Sequence, residues 1–293
     1  MICPFNLRRQ VEGMSLMEYY CPSSLKEAKE LIRAKKTKLL AGGTDLILQL
    51  QKNKINCEAL VNLEKLKDLR GITEGKGGVT VGAMVTFEEM LENSVIKEHF
   101  SALHISCSTM GSPQIRNMAT IGGNIINAGS AADAIPCIIA LGGLLVIESS
   151  EMIRVISCEE YFHKYDNEKI KDNEILTKII LPKEGYCSGF YKLGKRNSLA
   201  IARISVAVAI KVEDKIIQDI RVCLGAVGRY ALRPFEFEEL SKGKEVLWLS
   251  SEEALLYLER KVADSIGERK TMPFKREAVK GVFKEALAEA LKD

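Results

Sequence analysis

Most of the usual marks of a nucleic-acid, metal or membrane protein are missing from this sequence. The net charge is only +3 and no basic run or stripe dominates, which removes the electrostatic case for nucleic acid. No stretch approaches the 18 or so uncharged apolar residues that a membrane-crossing helix needs, so no membrane span is expected. Arg8 and Arg9 are not followed by a long apolar core, so the N-terminus does not read as a secretory signal. The three histidines, His99, His104 and His163, form no ligand pattern with the cysteines, and His99 and His104 are spaced wrongly for one helix face. Eight cysteines are scattered along the chain with no CxxC among them. That scatter fits the reducing cytoplasm, where thiols act as small apolar residues, and argues against an iron–sulfur cluster, which needs clustered thiolates. There is no GxSxG, no Cys/His pair, no carboxylate dyad on one face, no GxGxxG and no P-loop.

What is present describes a folded chain. Its 293 residues are 46% hydrophobic, and that length suggests two domains. Residues 1–16 have weak periodicity and read as an extension. From Met17 the pattern sharpens. "MEYYCP" reads as a strand, and "SLKEAKELIRAKK" as a helix opened by a Ser24/Glu27 capping box. "KLLA" and "ALVNL" read as strands, which makes a βαβ unit. After the loop-rich "GITEGKGG" come a strand in "VTVGAMV", a helix capped by Thr86 and Glu89, and one long helix over 95–110. "LLVIES" and "EILTKIILP" are further strands. Pro182, Gly185 and Gly189 mark a boundary, beyond which "GFYKL", "ISVAVAIKVED" and "IIQDIRVCLGAVG" read as antiparallel strands with "EDK" as a hairpin turn. In "KREAVKGVFKEALAEAL", Val279, Val282, Phe283, Ala286, Leu287 and Ala290 share one helix face. The expected class is α+β: residues 17–185 form one domain, in subdomains of about 17–75 and 76–185, and residues 186–293 form a second.

Two loops carry paired glycines beside a threonine, "AGGTD" at 41–45 and "TIGGN" at 120–124. Each could be an ordinary turn. Together they suggest one extended anion held by two backbone cradles, since consecutive N–H groups, threonine hydroxyls and missing Cβ atoms suit a pyrophosphate. Asp133, in "SAADAIP", is either a helix N-cap or an acceptor for sugar-type hydroxyls. Lys192 and Arg196, in "FYKLGKR", read on their own as solvated strand ends. Phe190 and Tyr191 beside them are either core or the wall of a pocket for a flat ring. A chain that holds a bulky anion but offers no acid, base or nucleophile leaves the chemistry to a cofactor.

In this order, "LLAGGTDLIL", "GSPQIRNMATIGGNI" with Asp133 after it, "EILTKIILP" and "FYKLGKR" resemble the FAD-binding (medium) subunits of molybdenum hydroxylases. That group includes the flavin subunits of xanthine, carbon monoxide and nicotinate dehydrogenases. The resemblance runs from about Met17 to the C-terminus. It implies a PCMH-type FAD-binding domain of two α/β subdomains, then a smaller antiparallel-sheet-plus-helices domain. It implies that Leu39, Leu40, Ala41, Gly42, Gly43, Thr44, Asp45 and Leu46 wrap the FAD pyrophosphate, and that Thr120, Ile121, Gly122, Gly123 and Asn124 form the second cradle. Asp133 would bind FAD hydroxyls, Leu176 would pack near the cofactor and Lys192 would sit near the flavin ring. Met110 stands where some relatives place an aromatic side chain against the flavin. No cysteine or histidine pattern supports a covalent link, so the FAD is expected to be non-covalent.

The resemblance also implies partners. In such enzymes a molybdopterin-binding subunit hydroxylates the substrate, a 2Fe-2S subunit passes electrons to FAD, and FAD delivers them to an acceptor, often NAD. This chain would be the FAD part of a cytoplasmic hetero-oligomer. Xanthine or another purine is the first expectation for the substrate, with nicotinate close behind because "FYKLGKRNSLAI" and "GVFKEAL" resemble that enzyme, and carbon monoxide as a further alternative. Two other readings are a cofactor-free scaffold of the same assembly, which the intact glycine pairs disfavour, and a stand-alone flavin reductase, for which no proton-donating serine or glutamate motif is found.

Overall fold

The computed structural model describes residues 17–34, 36–164, 169–194 and 201–292. The expected extension 1–16 and the expected site residue Arg196 lie outside the described residues. Three sheets organise the chain. The first is parallel, with strands β1 (Glu18–Tyr20), β2 (Thr37–Leu40) and β3 (Ala59–Asn62) in the order β1-β3-β2. Helix α1 (Leu25–Ala34) links β1 to β2 and buries Ala28 and Ile32 with Val61, Leu63 and Met84. Its capping differs from the expected box: Ser24 Oγ accepts the Glu27 N–H at 3.2 Å, but the Glu27 carboxylate accepts the Ser23 N–H at 2.8 Å, one residue ahead.

The second sheet is antiparallel, in the order β4-β5-β8-β6-β7. Its strands are β4 (Ile72–Gly75), β5 (Gly78–Gly82), β6 (Leu144–Glu148), β7 (Ile153–Ser157) and β8 (Ile175–Pro182). The β4–β5 hairpin belongs wholly to this sheet, so a subdomain division after residue 75 runs through a hairpin. Helices α3 (Phe87–Glu92), α4 (Ser94–His99), α5 (Ser101–Thr109), α6 (Pro113–Arg116), α7 (Ile121–Asn127), α8 (Ala134–Ala140) and α9 (Cys158–His163) accompany it. Thr86 and Glu89 do form a full capping box on α3. The single helix expected over 95–110 is two helices. The chain leaves helical geometry at Phe100 (φ −134°, ψ 56°), whose ring is buried in the core, and restarts at Ser101.

The third sheet is an antiparallel meander, β9 (Cys187–Leu193), β10 (Ile204–Glu213) and β11 (Ile216–Gly225), in the order β11-β10-β9. The hairpin turn falls on Asp214 and Lys215, both at positive φ. Helices α10 (Phe235–Ser241), α11 (Glu252–Ile266) and α12 (Met272–Ala290) cover one face. The six apolar residues expected on one face of α12 are all buried. Helix α12 lies so close to β9 that a Cβ on Gly189 would sit 2.2 Å from the Ala286 carbonyl oxygen. The other face of the meander does not close a core of its own. Phe190, Ala207, Ala209 and Cys223 join one cluster with Ala102, Cys137 and Ile138 of the preceding region.

Candidate functional site

Strand β2 ends at Leu40, and the loop 41–45 carries the chain into α2 (Leu46–Gln51). The two glycines of this loop do different things. Gly43 has φ +72°, a left-handed conformation that costs other residues about 1–2 kcal/mol. Gly42 is a contact: a Cβ there would fall 1.8 Å from the Met118 carbonyl oxygen. The loop therefore lies directly against the backbone that leads into the second glycine pair. The N–H groups of residues 42–46 donate to no described residue. They form a set of unsatisfied donors facing a cavity, the arrangement that binds an anion.

The second loop is built otherwise. Four of the five N–H groups expected to form a cradle, those of Ile121 to Asn124, are already engaged. Ile121 donates to Val85 O at 3.0 Å, Gly122 to Ala83 O at 2.9 Å, Gly123 to Thr120 Oγ1 at 3.1 Å and Asn124 to Thr120 O at 3.0 Å. A Cβ on Gly122 would stand 2.6 Å from Ala83 O. This glycine pair packs α7 against the sheet and does not bare its backbone, which corrects the expectation of a second N–H cradle. What the loop offers is its side chains, above all Asn124, whose Oδ1 is buried without a partner.

The two loops face a common cavity of about 420 Å³, within the range of small-molecule sites. Of the expected residues, Leu39, Ala41, Gly42, Gly43, Thr44, Asp45, Leu46, Met110, Thr120, Gly122, Gly123, Asn124 and Leu176 line it. Leu40 and Ile121 do not: Leu40 Cδ1 is among the atoms nearest the α-carbon face of Gly43, and Ile121 is in the core. Asp133 and Lys192 lie outside the cavity lining, brought together from different domains at 2.5 Å. Asp133 is only 6% exposed, and burial pushes its carboxyl up from the usual range while Lys192 opposes that shift. Its side chain makes no cap bond to α8, which removes the cap reading, and its Oδ1 is buried without a partner. Phe190 is core and Tyr191 is exposed.

Several lining residues were not singled out from the sequence. Asn127 joins the two walls: its amide donates to Asp45 at 3.1 Å, and its oxygen accepts from Gln49 at 2.9 Å. Behind the lining, Arg116 is paired with Glu88 at 2.6 Å and reaches the Met110 and Gly111 carbonyls at 3.5 Å, which steadies the Met110 wall. Lys38, Lys169 and Lys171 add positive charge to the lining. Free N–H groups, an orphan amide oxygen and three cations around one cavity fit a dinucleotide with a pyrophosphate, and so fit FAD. Among the described residues no His, Cys, Asp and Glu group could hold a metal ion.

Comparison with known proteins decides the family. The model described as "FAD binding domain in molybdopterin dehydrogenase" matches residues 13–184, and that described as "CO dehydrogenase flavoprotein C-terminal domain" matches residues 189–290. The chain belongs to the FAD-binding subunits of the molybdenum hydroxylase family. It is 33% identical over 295 residues to the nicotinate dehydrogenase FAD-subunit of Eubacterium barkeri, covering 95% of this chain and 97% of that one. It is 26% identical to the xanthine dehydrogenase FAD-binding subunit of Escherichia coli O157:H7, covering 93% and 95%. Among solved structures it resembles carbon monoxide dehydrogenase from Hydrogenophaga pseudoflava with a TM-score of 0.84 and 26% identity, covering 94% of this chain and 96% of that one. As a FAD-binding subunit, the chain is an oxidoreductase component with the two-domain α+β fold of its family. No helix among its described residues is long and apolar enough to cross a membrane.

Proposed function

We propose that this chain holds non-covalent FAD in the glycine-loop cavity and passes electrons within a cytoplasmic complex, from a 2Fe-2S subunit to an acceptor such as NAD, while a molybdopterin-binding subunit carries out hydroxylation. The observation that carries this reading is the loop 42–46, whose backbone donors have no described partner and face a cavity lined by lysines. Bound FAD would supply exchange between one-electron and two-electron carriers. The N–H groups of Gly43 and Thr44 would hold the pyrophosphate, with Thr120, Asn124 and Leu176 on the opposite wall. The buried Asp133–Lys192 pair, outside that cavity, would brace the junction of the two domains rather than touch the cofactor. Seven free cysteines among the described residues support a reducing compartment.

For the substrate of the assembly, we favour a nitrogen heteroaromatic acid such as nicotinate over xanthine. The nicotinate relative is 33% identical and the xanthine relative 26%. The hydroxylating site belongs to another polypeptide, so this chain alone is expected to oxidise NADH with an artificial dye and to turn over neither nicotinate nor xanthine. The test is to mix the flavin-loaded chain with a dye and each of the three compounds separately. Hydroxylation without partners would overturn the assignment. Absence of NADH oxidation with intact flavin binding would replace NAD by another acceptor.

A further inference from the structure

Glu174 is 4% exposed, yet it is not a spare buried acid. Its carboxylate takes both arms of the Arg154 guanidinium, at 3.0 and 2.9 Å, and the Lys171 N–H at 2.9 Å. In return the Glu174 N–H donates to the Lys171 carbonyl at 3.0 Å, so residues 171–174 are closed into a turn from both sides. Burial works against the charged carboxylate, but the Arg154 fork and the Lys171 N–H prevail and hold it below the usual range. Just upstream, the Ile170 N–H reaches the hydroxyl of the fully buried Tyr161 at 3.4 Å. The segment 169–172 is thus anchored to α9, to β7 and to the start of β8. It lines the same cavity as the glycine loops. That cavity is faced by Lys38, Lys169 and Lys171 and by two carboxylates, Asp45 and Asp172, and Asp45 is already bonded to the Asn127 amide.

We propose that Glu174 is a positioning residue for the cofactor: through Arg154 and the turn at Lys171 it sets the cationic wall that faces the phosphate-bearing half of FAD. The inference rests on the FAD reading of this cavity and deepens it. The chemistry follows from the charges. Lysine ammonium groups carried on an anchored segment favour a pyrophosphate, whereas the uncharged riboflavin half gains little from them. Glu174 touches no cofactor atom under this arrangement. It acts by fixing the turn that carries Lys169 and Lys171, as supporting residues do around other ligand sites.

The test compares the wild-type chain with Glu174→Gln, which keeps the side-chain shape and an acceptor for Lys171 but loses the charge opposite Arg154. Lys171→Ala, at an exposed position, serves as the second variant because it leaves the core untouched. Dissociation constants for FAD and for riboflavin are measured on the flavin-free chains by fluorescence quenching, together with thermal melting. Both variants are expected to lose about tenfold in FAD affinity, the effect of a displaced charge-assisted contact, with riboflavin affinity unchanged. Unchanged FAD affinity in Glu174→Gln would overturn the proposal, and so would an equal loss for FAD and riboflavin, which is the outcome of general loosening. Wild-type chain that binds no FAD would remove the underlying reading itself, a result distinct from either.

Discussion

The loops 41–45 and 120–124 look like two copies of one device, and they are not. Each has paired glycines beside a threonine. In the first, Gly43 turns the chain left-handed and the N–H groups of residues 42–46 find no partner among the described residues. In the second, every N–H from Ile121 to Asn124 is consumed within the protein. The contrast shows that a glycine pair reports close approach without saying what approaches. At Gly42 and Gly122 it is another stretch of this chain, while residues 43–46 leave donors for something else. The binding wall and the packing wall are then clasped together by Asn127.

The comparison breaks most visibly at Gly42. Gly42→Ala is expected to destabilise the fold by about 3 kcal/mol or more, since a Cβ 1.8 Å from a backbone oxygen cannot be absorbed by a rotamer change. Chemical denaturation of the flavin-free chain would measure it, and a variant as stable as wild type would refute the contact. Gly43→Ala is expected to cost a smaller ~1–2 kcal/mol of stability but to abolish or sharply reduce flavin content, because it strains the donor loop. Gly43→Asn, which tolerates the left-handed region, should keep more flavin than Gly43→Ala, and equal flavin content in the two would argue against the backbone conformation as the cause.

On the other wall the order of effects reverses. Thr120→Val removes the acceptor for the Gly123 N–H and should lower stability by ~1 kcal/mol with FAD affinity nearly unchanged, as read by melting and by flavin titration. Asn124→Ala is the sharpest discriminator despite its small size. Its Oδ1 is buried and unpartnered, so removing it should leave the flavin-free chain as stable or slightly more stable. FAD affinity should nonetheless fall. If both quantities fell together, Asn124 would belong to the packing of α7 and not to the ligand.

How much of this was legible in the sequence depended on the distance over which each feature is decided. The βαβ unit, the Thr86/Glu89 cap, the Asp214–Lys215 turn and the buried stripe of α12 are local patterns, and periodicity or a short motif contains them. Both glycine loops could be found for the same reason. Their different uses could not, because Gly42 meets Met118 and Gly122 meets Ala83, far away along the chain. The Asp133–Lys192 pair likewise joins residues whose neighbours suggest a helix cap and a solvated strand end. Phe100 broke an apparently continuous helix because its ring is needed in the core, a tertiary demand that local propensity does not carry. The segment 169–172 carries no motif, and only the folded chain places it in the wall of the site and closes it with the Arg154–Glu174 fork.

The core shared between the second and third sheets has a consequence for how the chain is made. Ala102, Cys137 and Ile138 bury themselves against Phe190, Ala207, Ala209 and Cys223, which leave the ribosome later. Synthesis proceeds at roughly 5–20 residues per second, so the apolar faces of α5 and α8 wait some seconds for their cover. During that interval the nascent chain presents a half-built core to the cell, and the two domains cannot mature as independent units. A chaperone that shields α5 and α8, or a ribosomal pause placed after β11, would act on yield without touching the finished protein.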